Sequence, residues 1–193
     1  MLTSTINALE GRDVAVVDIP GAYLSAYMDN EVHVVFRGTI VEMMVMDDPA
    51  LYRPFVSYET EKSVLYVRLQ KALYGCLKSA LFFYDNLVVN LEAYGFIINM
   101  NDPCVTNKMI GVKQLTVCWH VDDLKISCVD LNEVTKMIQW IESEYGEMHG
   151  SHGKIHHYLG MWIDYSITVG VHISMEEYLR GVLNDFQEDT HML

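Results

Sequence analysis

Apolar residues in this chain fall into short runs with two distinct periods. "DVAVVDIPGAYL" opens with a β-rich apolar run that stops at Asp18, and the breaker pair Pro20-Gly21 follows. That pattern predicts a strand, a carboxylate at its end, and then a turn. "EVHVVF" and "SVLYVRL" read as further strands. Between them the stretch from Gly38 to Glu61 is mixed, and "DDPALYRPF" suggests a loop with one helical turn. From Ser79 to Tyr94 the period lengthens. Ala80, Tyr84, Leu87, Val88 and Leu91 recur at the spacing of one buried helix face, and Gly95 supplies a stop.

"IINMNDPCVTNKM", "KQLTVCWHV" and "LKISCV" return to strand patterning, and the last two flank Asp122 and Asp123 at a hairpin tip. Asp130 has the form of a helix cap, with Glu133 placed to reach back to it. Val134, Ile138, Ile141 and Tyr145 line one face of that helix, and Gly146 ends it. "KIHHYLGMWIDYS" and "GVHIS" predict a second hairpin around Thr168 to Gly170. Ser174 with Glu177 repeats the capping pattern and opens a last helix, with Met175, Leu179, Val182 and Phe186 on its apolar side. Strands and helices interleave, but short turns join most strand neighbours. The fold class is therefore α+β, an antiparallel sheet with helices packed on one face.

Composition limits what this sheet can do. At 193 residues the chain suits one domain, or one domain and part of a second, and 51% hydrophobic content suffices for a core. The net charge of −13, from 26 acidic and 13 basic residues, argues against a self-sufficient nucleic-acid binder. Cys76, Cys104, Cys118 and Cys128 form no C-x-x-C pair, so free thiols in a reducing compartment are expected. No apolar run reaches bilayer length, so no membrane partner is expected. His149, His152, His156 and His157 lie in a Gly-containing stretch without partnering cysteines, where a zinc site is the weaker reading. Met43, Met44 and Met46 read as core or loop filler.

The chemistry concentrates in carboxylates. Paired acids at a turn are usually just solvated. Asp18, at the end of an apolar strand that belongs beside the hairpin, changes that reading. Three carboxylates converging at one sheet edge make a site for a hard divalent cation, which takes oxygen ligands and relieves their repulsion.

In its motifs and their order, the chain resembles the reverse transcriptase of Ty1/copia-type LTR retrotransposons. "DIPGAYL" is similar to that family's "DVKTAFL", "LQKALYGCLKSALFFY" to its "LYGLKQAPRAWY" region, "HVDDLKIS" to "YVDDILI", and "HYLGMWID" to the "FLGIEI" primer-grip strand; "VHVVFRG" echoes "VYMEQPEG". The resemblance implies a polymerase palm, approximately residues 13–26 and 74–173. A partial fingers segment would occupy approximately 27–73, and the first thumb helix 174–193. It implies RNA-directed DNA polymerisation with Mg²⁺ or Mn²⁺ held by Asp18, Asp122 and Asp123. Ala22, Tyr23, Tyr74, Gly75 and Ser79 would meet the nucleotide, the Tyr23 ring excluding a ribose 2′-OH. Tyr158, Leu159 and Gly160 would form the primer grip. Partners would be a template RNA or DNA, a primer, a deoxynucleoside triphosphate and the rest of a Pol polyprotein, in the cytoplasm within a virus-like particle of the parent element.

The chain also departs from the family pattern. His120 stands where the family has Tyr, and Ala80 and Leu81 replace a Pro-Arg pair. The family's polymerase begins well upstream of "DIPGAYL" and continues past one helix after the primer grip, so most of the basic fingers and of the thumb are expected outside this sequence. A polymerase-derived remnant, acting as a binding module or without function, is the alternative. An unrelated two-metal phosphohydrolase would explain the aspartates but not the primer-grip match.

Overall fold

The computed structural model describes residues 1–29, 31–168 and 170–190, the last four by backbone alone. It divides into two units, Met1–Ala22 with Tyr84–Leu193, and Tyr23–Phe83.

The first unit is built on a six-stranded antiparallel sheet. Its strands are β1 (Asp13–Asp18), β5 (Ile97–Asn99), β6 (Asp102–Ile110), β7 (Lys113–His120), β8 (Asp123–Cys128) and β9 (His149–Gly153), in the order β5-β6-β7-β8-β1-β9. β1 is buried from Val14 to Val17 because both of its faces are covered. Val14 and Val16 join Tyr158, Ile163 and Tyr165 in one cluster. Those partners come from a second, three-stranded antiparallel sheet of β10 (Ile155–Tyr158), β11 (Met161–Asp164) and β12 (His172–Ser174). Ala8 of α1 (Leu2–Leu9) packs against the same cluster. On the opposite face, α5 (Leu131–Tyr145) lies across β1 and β8. The end of α4 (Ser79–Ala93) runs beside α5, where Tyr94 stacks on Trp140 at 4.2 Å and Asn90 donates to the Tyr145 hydroxyl at 2.8 Å. Helices therefore cover one face as expected. A small sheet and an unforeseen helix cover the other.

Several local readings shift. The buried row of α4 is Ser79, Phe83, Leu87 and Leu91, an i, i+4 stripe; Ala80 is exposed, and Tyr84 and Val88 are only partly covered. In α5, Asp130 caps by accepting from the Asn132 amide at 3.0 Å, while Glu133 pairs with Lys136. Met137 is buried there with Val134 and Ile141, and Ile138 is half-buried. The stretch "IINMNDPCVTNKM" is two strands, not one. "HYLGMWID" is likewise a tight hairpin: Tyr158 pairs with Met161 around Leu159 and Gly160, at φ +51° and +73°. Positive φ at both central residues is the two-residue turn whose twist suits a hairpin. β11 pairs with β12 as predicted, but the turn around Thr168 to Gly170 includes Val169, outside the described residues. In α6 (Glu176–Thr190), Ser174 caps by accepting from the Glu176 amide. Its predicted apolar side is largely solvent-facing, with Phe186 69% exposed.

The second unit is a smaller antiparallel sheet of β2 (His33–Arg37), β4 (Lys62–Arg68) and β3 (Ser57–Glu59), in the order β2-β4-β3. The mixed stretch between its strands forms α2 (Thr39–Asp47) and the short α3 (Pro49–Tyr52), which Asp48 caps by accepting from the Leu51 amide. Met43 and Met46 are exposed on α2, the latter at 81%, rather than filling a core.

Candidate active site

Antiparallel register brings the carboxylates together. β1 and β8 pair so that Asp18 stands directly opposite Asp123. The β7–β8 connection is a two-residue turn of Val121 and Asp122, closed by the pair His120 and Asp123. Val121 sits at φ +57°, a left-handed conformation that a β-branched residue disfavours, so the tip is held under strain. The Asp122 carbonyl accepts a hydrogen bond from the Ile19 amide at 3.1 Å, clamping the tip to the chain just past Asp18. β9 flanks β1 on its other side and places His149 opposite Asp18. One cross-strand row therefore reads His120, Asp123, Asp18, His149. Residues directly paired in a sheet share a face, so this row lies on one side.

The row borders a cleft of about 350 Å³ lined by Val16, Asp18, Asp123, His149, His157 and Trp162, among others. Burial raises the Asp18 carboxyl above its ordinary pKa, repulsion from Asp122 adds to this, and His149 opposes it. Asp123 is raised by burial and then by Asp122 and Asp18, against the lowering influence of His120 and His157. Both carboxylates are thus destabilised in their charged forms, by burial first and then by neighbouring carboxylates. A hard divalent cation relieves that repulsion and prefers oxygen donors, so the residues fit such an ion by chemistry and register. Among the described residues no three His, Cys, Asp or Glu side chains form a closed ligand group, so the fit does not rest on a finished coordination shell.

The four histidines suggestive of zinc are dispersed. His149 faces Asp18, His152 pairs with Ala15, and His157 meets the edge of Trp162. His156 is buried: its Nε2 lies 3.0 Å from the Gly153 carbonyl and its Nδ1 3.0 Å from the Ser151 hydroxyl. Burial lowers its pKa below the ordinary value. What sequence reasoning missed here is β9 itself. "HGSHG" has little strand propensity, and the pairing that sets His149 beside Asp18 leaves no periodic signal.

The remaining candidates occupy defined local settings. Ala22 is buried, and its amide donates to the Ile19 carbonyl at 3.2 Å. In the second unit, Tyr23 stacks on Tyr74 at 4.2 Å and is tilted against Phe83 at 6.3 Å, and Tyr74 is 48% exposed. Ser79 is buried and donates to the Leu73 carbonyl at 2.7 Å, so its hydroxyl fixes the loop that carries Tyr74 and Gly75. Gly75 takes φ +92° in that loop. Tyr158 is buried in the cluster on β1, and Leu159 and Gly160 form the turn beyond it. Burial raises the Tyr158 phenol well above its usual range.

A family model described as Reverse transcriptase (RNA-dependent DNA polymerase) matches residues 1–191. Among solved structures, that of apo telomerase from Candida Tropicalis, truncated from the C-terminal domain, aligns at 12% identity with a TM-score of 0.47. That alignment covers 90% of this chain and 38% of the telomerase chain. A search of curated proteins gave no match.

Proposed function

The chain belongs to the reverse transcriptase (RNA-dependent DNA polymerase) family, and from that premise we propose that it is the palm-centred part of a Ty1/copia-type retrotransposon polymerase. The observation that supports this reading most is the register of Asp18 against Asp123, with Asp122 clamped at the strained tip beside them.

On this reading Asp18, Asp122 and Asp123 hold Mg²⁺ or Mn²⁺. When bound, the ions supply charge stabilisation for attack of a primer 3′-hydroxyl on the α-phosphorus of a deoxynucleoside triphosphate, with pyrophosphate leaving. The protein's own part is positioning. The β1–β8 ladder sets the spacing of the carboxylates, and the turn at Val121 and Asp122 aims them. Ala22, Tyr23, Tyr74, Gly75 and Ser79 are assigned to the nucleotide, the Tyr23 ring excluding a ribose 2′-OH. Tyr158, Leu159 and Gly160 are assigned to the primer end. Residues 13–26 and 74–173 are assigned to the palm, 27–73 to a fingers segment and 174–193 to the start of a thumb. Template RNA or DNA, primer and the rest of a Pol polyprotein are the partners.

Thermal unfolding during Mg²⁺ or Mn²⁺ titration tests the reading. A ligand that binds only the folded state raises the melting temperature by mass action. The parent should gain stability with metal and Asp18→Asn should lose most of that gain. An identical metal response in the two proteins would overturn the shared site.

A further inference from the structure

We propose that Lys125 is a positioning residue, whose buried ammonium ties α1 and the Leu159–Gly160 turn to the strand that carries Asp123. Lys125 is only 3% exposed, in the middle of β8. It pairs with Val16 on one side and Cys118 on the other. It lies two positions after Asp123, so the two side chains share a face of the sheet. Its Nζ donates to the Thr3 hydroxyl at 2.9 Å and to the Ser4 hydroxyl at 2.8 Å, both at the start of α1. The same Nζ lies 5.6 Å from the centroid of the Tyr158 ring, within reach of a cation–π contact. One ammonium on β8 thus touches two other elements, α1 and β10.

The arrangement is costly unless it specifies something. Its cross-strand neighbours Val16 and Cys118, on the same face, are both buried, so an apolar side chain at this position would suit the core. Burying an ammonium against two neutral hydroxyls and a ring gives less compensation than a carboxylate would. Directional donors do what apolar contact cannot: they fix which residues of α1 face the sheet and how far along it the helix sits. The buried residues of α1 are indeed polar, Ser4 and Asn7. On the other side, Tyr158 is the last residue before the turn, so holding its ring sets the offset between Leu159 and the strand of Asp123. If that turn seats the primer end, as in the function proposed above, Lys125 acts through Tyr158 to set the distance from primer end to carboxylates.

The test uses the whole chain, with Lys125→Met to keep length and remove the charge, and Tyr158→Leu to remove the ring while leaving the lysine. Amide hydrogen exchange should quicken roughly tenfold or more at residues 2–9 and 159–161 in Lys125→Met, and at 159–161 alone in Tyr158→Leu. Exchange across β1 and β7 should stay as in the parent. Paramagnetic broadening by Mn²⁺ gives a distance readout that a merely structural role would leave alone. Broadening at Leu159 and Gly160 should weaken in Lys125→Met while that at Val17 and Leu124 persists. Unchanged protection of the turn in both variants, or a uniform rise across β1, β7 and β8, would overturn the proposal. Absence of broadening at Val17 and Leu124 in the parent would instead count against the metal reading, and the exchange data would still decide the role of Lys125.

Discussion

Asp18 and Asp123 face each other across a ladder with like charge, an arrangement that weakens a sheet by on the order of 0.2–1 kcal/mol. Asp18→Asn should therefore stabilise the metal-free protein, by up to about 2–4 °C in melting temperature for a chain of this size. The sign follows from the raised carboxyl of Asp18: stability is lost as pH rises from the ordinary value of 3.8 through the higher folded-state value. The gain in Asp18→Asn should accordingly be present at neutral pH and fade in acid below 3.8. Calorimetry of the two proteins at both pH values, without metal, checks this; a destabilised Asp18→Asn at neutral pH would contradict it. A lysine this close to the carboxylates offers a cation to phosphate only if its ammonium is exposed, and Lys125 is buried. In the fold its ammonium is spent on Thr3 and Ser4.

At the scale of elements, β9 joins β1 by unusually close contact. A Cβ on Gly150 would come within 2.6 Å of Val17 Cγ1 and 2.9 Å of the Val16 carbonyl oxygen. Both obstacles are stiff, one a β-branched side chain and the other backbone. Gly150→Ala should push β9 off the sheet and cost roughly 1–3 kcal/mol, read as a lower urea midpoint. An unchanged midpoint would mean that β9 yields freely. The link from β9 to β10 should respond to pH through His156. Burial holds its folded-state pKa below the ordinary 6.5; the hydrogen bond to Gly153 opposes this, and His152, Lys125 and Lys154 add to it. Its contribution is complete above pH 6.5 and is lost as pH falls through the lower folded-state value. The urea midpoint of the parent should drop over that range, and His156→Gln should flatten the slope. Equal slopes would remove His156 as the cause.

For the whole molecule, charge is the governing quantity. Residues 23–83 hold six of the 13 basic and seven of the 26 acidic side chains, leaving seven basic against 19 acidic in the first unit, a net −12. Affinity for a nucleic-acid backbone comes chiefly from Lys and Arg displacing counterions, and this chain's balance opposes it. Phosphoryl transfer also needs the triphosphate, primer end and template held in place, beyond metal ligation. The 193-residue chain by itself should bind a primer–template very weakly even at low salt and give no detectable primer extension with Mg²⁺. The assay is primer extension by the purified chain beside an aspartate-free control. Extension that vanishes in the control would show that the palm alone supplies the positioning.

The sequence by itself determined the strands with strong β-branched patterning, the capped helix at Asp130, the hairpin bearing Asp122 and Asp123, and the link of that hairpin to Asp18 through ordered motifs. Each depends on local propensity or on residue types whose chemistry is evident in isolation. Only the tertiary structure decided which residues stand opposite one another. The pairing of "HGSHG" with β1, the choice of Phe83 over Ala80 for the buried face of α4, and the docking of a polar-faced α1 on Lys125 leave no periodic trace. The reason is physical. Register and burial are set by contacts between segments more than a hundred residues apart, such as Ser4 with Lys125, and local spacing holds no record of a partner that distant.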